Sequence, residues 1–334
     1  MARSKHGLAG LLLAVFALPA AAELPESNVA HQYGVCFLPL MVMERDKLVE
    51  KHAKAEGLPD VKVSWVKVAG PSVMNDGVIS GAIQFIAVGA PSLITLWDKT
   101  QANVGVKGVS AMTTYPLYLN SRNPNVKTVR DFSDKDRIVV PSVKVSTQAI
   151  LLQMVAAKEF GDTNYAHFDP WTVGLSHPDG LLALQNTTSG VNAHFTSSPF
   201  HEQEMKLPGV HTLTTSYTIL GGPATALVIA ASTKYREANP KSYQAFFGAL
   251  KEAIDSINKD KKAAAKIYLE QAKDTKNTAD DIYLMINASD YFYTLTPQKV
   301  FKTAEFMNKI GSLKNKPASW KDLFFSEVHH LPGD

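Results

Sequence analysis

Cysteine is nearly absent from this 334-residue chain. With Cys36 alone no disulfide can form within it, so its stability rests on packed cores rather than covalent staples. The place of Cys36 between Val35 and Phe37, in a strand-like run, reads as a small buried hydrophobe. An excess of charge is missing too: 34 Lys and Arg face 31 Asp and Glu, a formal net charge of +3. A nucleic-acid face needs a basic surplus or stripe, so no nucleic-acid partner is expected. Charged residues make up 19% and hydrophobic residues 45% of the chain, which excludes both a disordered chain and a multi-span membrane protein. The length allows two α/β domains with real cores.

Motifs of common chemistries are absent as well. There is no Gly-x-Ser-x-Gly elbow, no glycine-rich phosphate loop and no His-Glu-x-x-His. Scattered Ser and His residues do not make a triad, so no enzyme is expected. Five of the ten histidines, His167, His177, His194, His201 and His211, fall in the middle third of the chain. A zinc site would need three or four of them to converge, and their spacing shows no such pattern. Neither a metal nor any other cofactor is expected.

What is present begins with an address. Arg3, Lys5 and His6 precede the apolar run Leu8 to Leu18, which ends in Pro19-Ala20-Ala21-Ala22. A basic start, a short apolar middle and a small-residue ending make a secretory signal peptide, too short for a comfortable membrane span. Cleavage after Ala22 would leave Glu23 first and lower the basic count from 34 to 32, hence the net charge from +3 to +1.

The most informative stretch is Ile138 to Gln153. Ile138, Val139 and Val140 suit a buried strand, and Pro141 withdraws a backbone donor and ends it. From Ser146 onward, Ile150, Leu151, Met154 and Val155 recur at helical spacing, with Ser146 or Thr147 as the N-cap. The first amides of such a helix are unpaired and carry the positive end of its dipole, so a sulfonate, carboxylate or nitrate lodged there is stabilised. Lys144 would add a charge. The plainer alternative is a simple cap, with Lys144 in water.

Strand and helix patterns alternate on either side. Ala30 to Leu38 reads as a strand, Leu40 to Ala55 as a helix, and Val61 to Val68 alternates strongly enough to be a strand. A helix follows Gly70-Pro71-Ser72, a strand Ile83 to Ala87, a helix from Ser92 to Thr100, and a strand Val104 to Met112. The pattern restarts with strands at Pro116 to Ser121, Ile138 to Val140, before Pro170, Val191 to Phe195 and Val210 to Thr214. After a last strand, Ala226 to Ala231, the remainder reads as helical. This order predicts an α/β chain of two lobes, each a mostly parallel sheet flanked by helices, with a helical C-terminal tail. Crossings near Met112 to Pro116 and Thr215 to Ala226 give lobe I as residues 23–113 plus 218–334, and lobe II as 114–217. Ligands of open α/β sheets sit beyond the carboxyl ends of the strands, and here two such edges would face each other across a cleft.

Ser80-Gly81-Ala82-Ile83-Gln84-Phe85, then Val88-Gly89-Ala90-Pro91-Ser92, resembles a stretch of the periplasmic solute-binding proteins of the nitrate, sulfonate and taurine group. Val140-Pro141 with Ser146 resembles that group's second-lobe strand, turn and helix. Leu181 to Gln185 with Val191-Asn192-Ala193 resembles its repeat of the first motif, and Gly221-Gly222-Pro223 the return to the first lobe. The family's usual acids are amides here, Gln84 and Asn192, and the tryptophan that often follows the second motif is replaced by His194-Phe195.

The resemblance implies a type II periplasmic binding protein fold and a monomer. Its lobes would close on a small-molecule ligand and offer it to an inner-membrane ABC transporter permease. First-lobe contacts would come from Phe37, Leu38, Pro71, Ser72, Gly89, Ala90 and Pro91. Second-lobe contacts would come from Ser142, Lys144, Ser146, Thr147, Phe168, His194, Phe195 and Thr196, with Thr113, Thr114, Ser216 and Tyr217 near the crossings. Loops rich in hydroxyls and amides suit a small organic or inorganic anion read by dipoles. A neutral aromatic or pyrimidine-type ligand stacked on Phe168 or Phe195 is the alternative, and a metal-binding transport protein a more distant one. An enzyme of the same superfamily, the thiamine-pyrimidine synthases, is marked by a cysteine-rich motif that a chain with Cys36 alone cannot contain.

Overall fold

The computed structural model describes residues 23–58 and 60–334. The signal peptide expected over 1–22 lies outside the described residues. Strands β1 (Glu26–His31), β2 (Lys62–Lys67), β3 (Phe85–Val88) and β4 (Val106–Thr114) build a first sheet. The chain then crosses to a second, made of β5 (Tyr118–Ser121), β6 (Ile138–Val140), β7 (Thr172–Gly174), β8 (Ala193–Thr196) and β9 (His211–Thr215). It returns with β10 (Thr225–Ser232) and β11 (Phe292–Tyr293). Spatial order is β11-β4-β10-β3-β1-β2 in the first sheet and β7-β6-β8-β5-β9 in the second.

Both sheets are mixed, which corrects the expectation of mostly parallel ones. Parallel pairing holds at β1–β2, β1–β3, β6–β7 and β6–β8, where helices cross over between strands. The antiparallel pairs follow from the crossings. Strand β4 leaves for the second lobe at Thr114 and β10 comes back at Thr225, and these two residues are register partners, so the strands must run opposite ways. Tyr118, entering β5, likewise pairs with Thr215, leaving β9.

Along the chain come α1 (Leu38–Arg45), α2 (Leu48–Ala55), α3 (Pro71–Ser80), α4 (Ala90–Thr100), α5 (Thr147–Phe160), α6 (His177–Gln185), α7 (Phe200–Glu204) and α8 (Ser216–Leu220). The C-terminal part holds α9 (Thr233–Ala238), α10 (Pro240–Lys259), α11 (Lys261–Ala272), α12 (Ala279–Ile286) and α13 (Val300–Lys309). It is not wholly helical, because Phe292 and Tyr293 pair with Thr114 and Thr113. The strand read over Ala30 to Leu38 ends at His31. Gly34, at φ 125, breaks it, and Val35–Phe37 form a single 3-10 turn leading into α1. This turn is pinned by the Thr113 hydroxyl donating to the Cys36 carbonyl at 2.8 Å and the Tyr293 hydroxyl donating to the Val35 carbonyl at 2.8 Å.

Strands β3 and β10 are buried throughout, whereas edge strand β2 is partly exposed and carries Lys62 and Lys67, which discourage pairing with another chain. Helix α10 packs on α1 and α2. The rings of Phe246 on α10 and Phe85 on β3 stack with centroids 3.7 Å apart, both wholly buried. This contact holds the sheet centre from which the loop to α4 springs. Phe246→Ala is expected to cost about 3–5 kcal/mol, read as a lower urea midpoint with the slope of the transition retained.

Candidate functional site

The two lobes touch through glycines. Gly34 lets the Val35 amide donate to the Ser198 carbonyl at 3.2 Å, and a Cβ on Gly34 would stand 3.1 Å from that same oxygen. A Cβ on Gly70 would overlap the Pro141 carbonyl oxygen, and one on Gly89 would overlap the Thr147 hydroxyl. Side chains at these points would wedge the lobes apart. The molecule is therefore in a closed form, with Gly34 and Gly70 packed on backbone and Gly89 on the Thr147 side chain.

Between these contacts lies a cavity of about 30 Å³. Four helices begin on it: α3 through Pro71, α4 through Gly89, α5 through Ser146, Thr147 and Gln148, and α6 through His177. Each presents first-turn amides and the positive end of its dipole. The glycine N-caps of α3 and α4 have no side chain to satisfy those amides. Ser146 caps α5: its hydroxyl accepts from the Ala149 amide at 3.4 Å and donates to the Ser142 carbonyl at 2.8 Å.

The remaining walls are Gln32, Tyr33, Cys36 and Phe37 after β1, Tyr115, Leu117, Ala226 and Leu227 at the crossings, Pro141 after β6 and Ser197 after β8. No Lys, Arg, Asp or Glu lines it. The Ser197 hydroxyl is wholly buried and faces the Tyr115 phenol. Burial pushes the Cys36 thiol up to about 12, so it stays protonated and unreactive. Burial likewise raises the Tyr115 phenol, leaving it a donor. A wider chamber of about 280 Å³ adjoins the cavity at Tyr33 and is edged by Phe200, Tyr268, Lys67, Lys273 and Lys276.

No family model and no curated protein matches the sequence. Solved structures do match in shape. The alkanesulfonate-binding protein SsuA from Xanthomonas axonopodis pv. citri, bound to MOPS, aligns at TM-score 0.68 and 17% identity over 89% of this chain and 96% of its own. The periplasmic aliphatic sulphonate binding protein SsuA from Escherichia coli aligns at 0.62 and 17%, over 91% and 92% of the two chains. The periplasmic nitrate-binding protein NrtA from Synechocystis PCC 6803 aligns at 0.63 and 15%, over 89% and 83%. The chain has the periplasmic binding protein fold.

Within that fold, Phe37, Pro71, Gly89, Ser146 and Thr147 come together on the cavity, as read from the sequence. The other expected contacts lie elsewhere. Leu38, Phe168 and Phe195 are core side chains, and Ala90 and Pro91 are buried in the first turn of α4. Ser72 and Lys144 are exposed, and the charge of Lys144 acts on Asp169. Thr113 holds Cys36, the Ser216 hydroxyl accepts from the Leu117 amide at 2.9 Å, and the Tyr217 hydroxyl donates to the Asp290 carbonyl at 2.8 Å. Ser142 is half-buried beside Gly70, and the Thr114 and Thr196 hydroxyls are buried without a partner. His194 sits wholly buried behind the cavity.

Ser197 closes the second-lobe stretch His194 to Ser197 read as contacts, whereas Gln32, Tyr33, Cys36, Tyr115, Leu117, Pro141, Gln148, His177, Ala226 and Leu227 were not legible as wall residues. Some sit just past strand ends, while Gln148 and His177 stand in the first turns of α5 and α6 and Ala226 and Leu227 at the start of β10, where sequence pattern alone does not say which side chains face the cleft. The amides that replace the family's acids are structural ties. Gln84 accepts from the Asn28 amide at 2.7 Å and donates to the Gly81 carbonyl at 2.8 Å. Asn192 accepts from the Arg137 amide at 3.0 Å and donates to Asp136 at 2.6 Å. An ionised acid could not make both bonds. Among the described residues no group of three or more His, Cys, Asp or Glu is placed to hold a metal, and no helix is long and apolar enough to cross a membrane.

Gly70→Ala is expected to keep both lobes folded but depopulate the closed form, because the blocking atom is a backbone carbonyl that cannot rotate away. Small-angle scattering should then give a larger radius of gyration than wild type; an unchanged radius would show that the lobes do not pack through this contact. Burial holds His31 and His201 down at about 4 and His177 well below its ordinary value. Lowered folded values mean that the unfolded chain binds more protons between pH 6.5 and 4. Tm should therefore fall as the pH drops through that window.

Proposed function

We propose that this chain is an exported receptor which closes its lobes on a small solute carrying an oxyanion head group and delivers it to an ABC permease. The observation that carries this reading is the convergence of four helix N-termini, with the buried Ser197 hydroxyl, on one small cavity that no formally charged side chain among the described residues lines. Amides and dipoles aimed at a point stabilise negative charge without a counter-ion. The cavity, at about 30 Å³, has room for roughly one or two water-sized groups. That suits the oxygens of a nitrate, sulfonate or carboxylate. The aromatic and lysine-edged chamber beyond Tyr33 would take an organic remainder, its lysines drawing anions towards the mouth.

Residues 23–113 with 218–334 act as one lobe and 114–217 as the other. Ligand contacts to both favour the closed form, and binding thereby shifts the equilibrium that a permease senses. The whole cleft lies within one chain, so a monomer suffices, and the periplasm is its place of work. The sulfonate- and nitrate-binding proteins that share the fold support this class of cargo.

A thermal-shift panel of nitrate, methanesulfonate, taurine, carboxylates, aromatic acids and pyrimidines tests the proposal, since a solute bound by the folded state alone raises Tm. An anion should raise Tm, and Ser197→Ala should weaken its binding by about tenfold, the loss of one hydrogen bond to a charged group. A shift only with neutral pyrimidines would reject the anion reading.

A further inference from the structure

Behind the cavity, in lobe II, runs a chain of buried polar side chains that none of the preceding roles uses. Glu204 on α7 and His194 on β8 are both wholly buried, with His194 Nδ1 2.6 Å from Glu204 Oε1. His194 Nε2 lies 3.0 Å from Nδ1 of His177, at the start of α6. The amide nitrogen of Gln148, at the start of α5, is placed 3.4 Å from His177 Nε2. Gln148 and His177 are the two members that line the cavity. The wire exists because residue 180 is glycine: a Cβ there would stand 2.6 Å from the His194 ring, so α6 could not lie close enough for His177 to reach it.

The far end is fixed. The Thr212 hydroxyl donates to Asn120 Oδ1 at 2.8 Å, which turns the Asn120 amide nitrogen to Glu204 Oε2 at 2.9 Å. No Lys or Arg bonds Glu204. The titratable groups around it are Glu202 and His201 on α7, Tyr118 of β5 stacked on His201, Lys206 beyond α7, and Asp179 on α6 held to Ser176. Glu202 is itself raised by burial and then by the charge of Glu204. A lone carboxylate buried here would cost several kcal/mol, which one proton taken up by the Glu204–His194 pair removes. Whether that proton rests on Oε1 or on Nδ1, the other ring nitrogen of His194 then carries hydrogen. His194 Nε2 must donate to His177 Nδ1, and His177 must carry its own proton on Nε2. That N–H faces Gln148, whose amide, its oxygen and nitrogen being interchangeable by a half-turn, must then set Oε1 towards His177 and NH₂ into the cavity.

We propose that Glu204, acting through His194 and His177, positions Gln148 as a hydrogen-bond donor to the cleft, so that binding of an anionic oxygen is coupled to one proton held inside lobe II. Loss of that proton reverses every link: His194 donates to Glu204, His177 donates to His194, and Gln148 turns its oxygen to the ligand. Glu204, His194 and His177 are positioning residues, and Gln148 makes the contact.

The polarity is read directly by NMR of ¹⁵N-histidine-labelled protein at pH 7. His177 should be protonated at Nε2 and bare at Nδ1, with His194 protonated at Nε2; a His177 proton on Nδ1 overturns the proposal. The second arm measures methanesulfonate and nitrate affinity against pH. Wild-type affinity should fall as the pH rises, by up to about tenfold per pH unit, the most that one linked proton gives. In Glu204→Gln, Asn120 holds the new oxygen and leaves the amide nitrogen donating to His194, which locks the same polarity without a titrating group. Its affinity should stay within about twofold from pH 6 to 9, and a Glu204→Gln profile as steep as wild type overturns the proposal. Only this arm rests on the anion-binding reading. If neither probe binds, that reading falls and the ring protonation still decides the wiring.

Discussion

The architecture depends on close approach of backbone to backbone where the lobes meet. Gly34, Gly70 and Gly89 carry no Cβ, so Val35 reaches Ser198, and the starts of α3 and α4 reach Pro141 and Thr147. This close approach brings helix starts from both lobes onto one cavity. With side chains at those positions, the same helices would end too far apart for their dipoles to act on one guest. Closure and electrostatics are thus one feature: the approach that shuts the cleft also assembles its positive potential.

A site built from dipoles rather than formal charges has a consequence for transport. Lys or Arg in the cavity would hold an anion strongly in either form of the protein. Helix N-termini split between two lobes bind tightly only when the lobes are together, and release follows when they part. The lysines instead edge the outer chamber, where under the proposed function they would steer an anion inward without anchoring it.

Much of the fold was legible in the sequence because its signals are local. The alternation of β2, the Ser146 cap of α5, the crossings and the long C-terminal helices follow from period and capping residues alone. The parallel bias of the sheets was overestimated, since strand direction at a crossing is set by where the chain leaves and returns, as Thr114 and Thr225 show. Of the site, the glycine and proline starts of α3 and α4 and the serine start of α5 were readable. Phe168 and Phe195 were not, because an aromatic next to a loop looks alike whether it faces a cleft or a core. The polar chain from Asn120 to Gln148 joins residues distant in sequence, so no spacing could reveal it. Its one trace was His194-Phe195 standing where the family often has tryptophan.

The departures from the family pattern divide by position. Gln84 and Asn192 knit their own lobes together and leave the cavity untouched. His194 is where the chain departs in a way that reaches the cleft, through His177 and Gln148. The most direct test of the account is a crystal structure of the protein grown with methanesulfonate or nitrate. The account predicts the oxyanion between the starts of α3, α4 and α5, within hydrogen-bond distance of the Ser197 hydroxyl and the Gln148 amide. An anion bound outside the inter-lobe cavity, with that cavity still closed on itself, would contradict it.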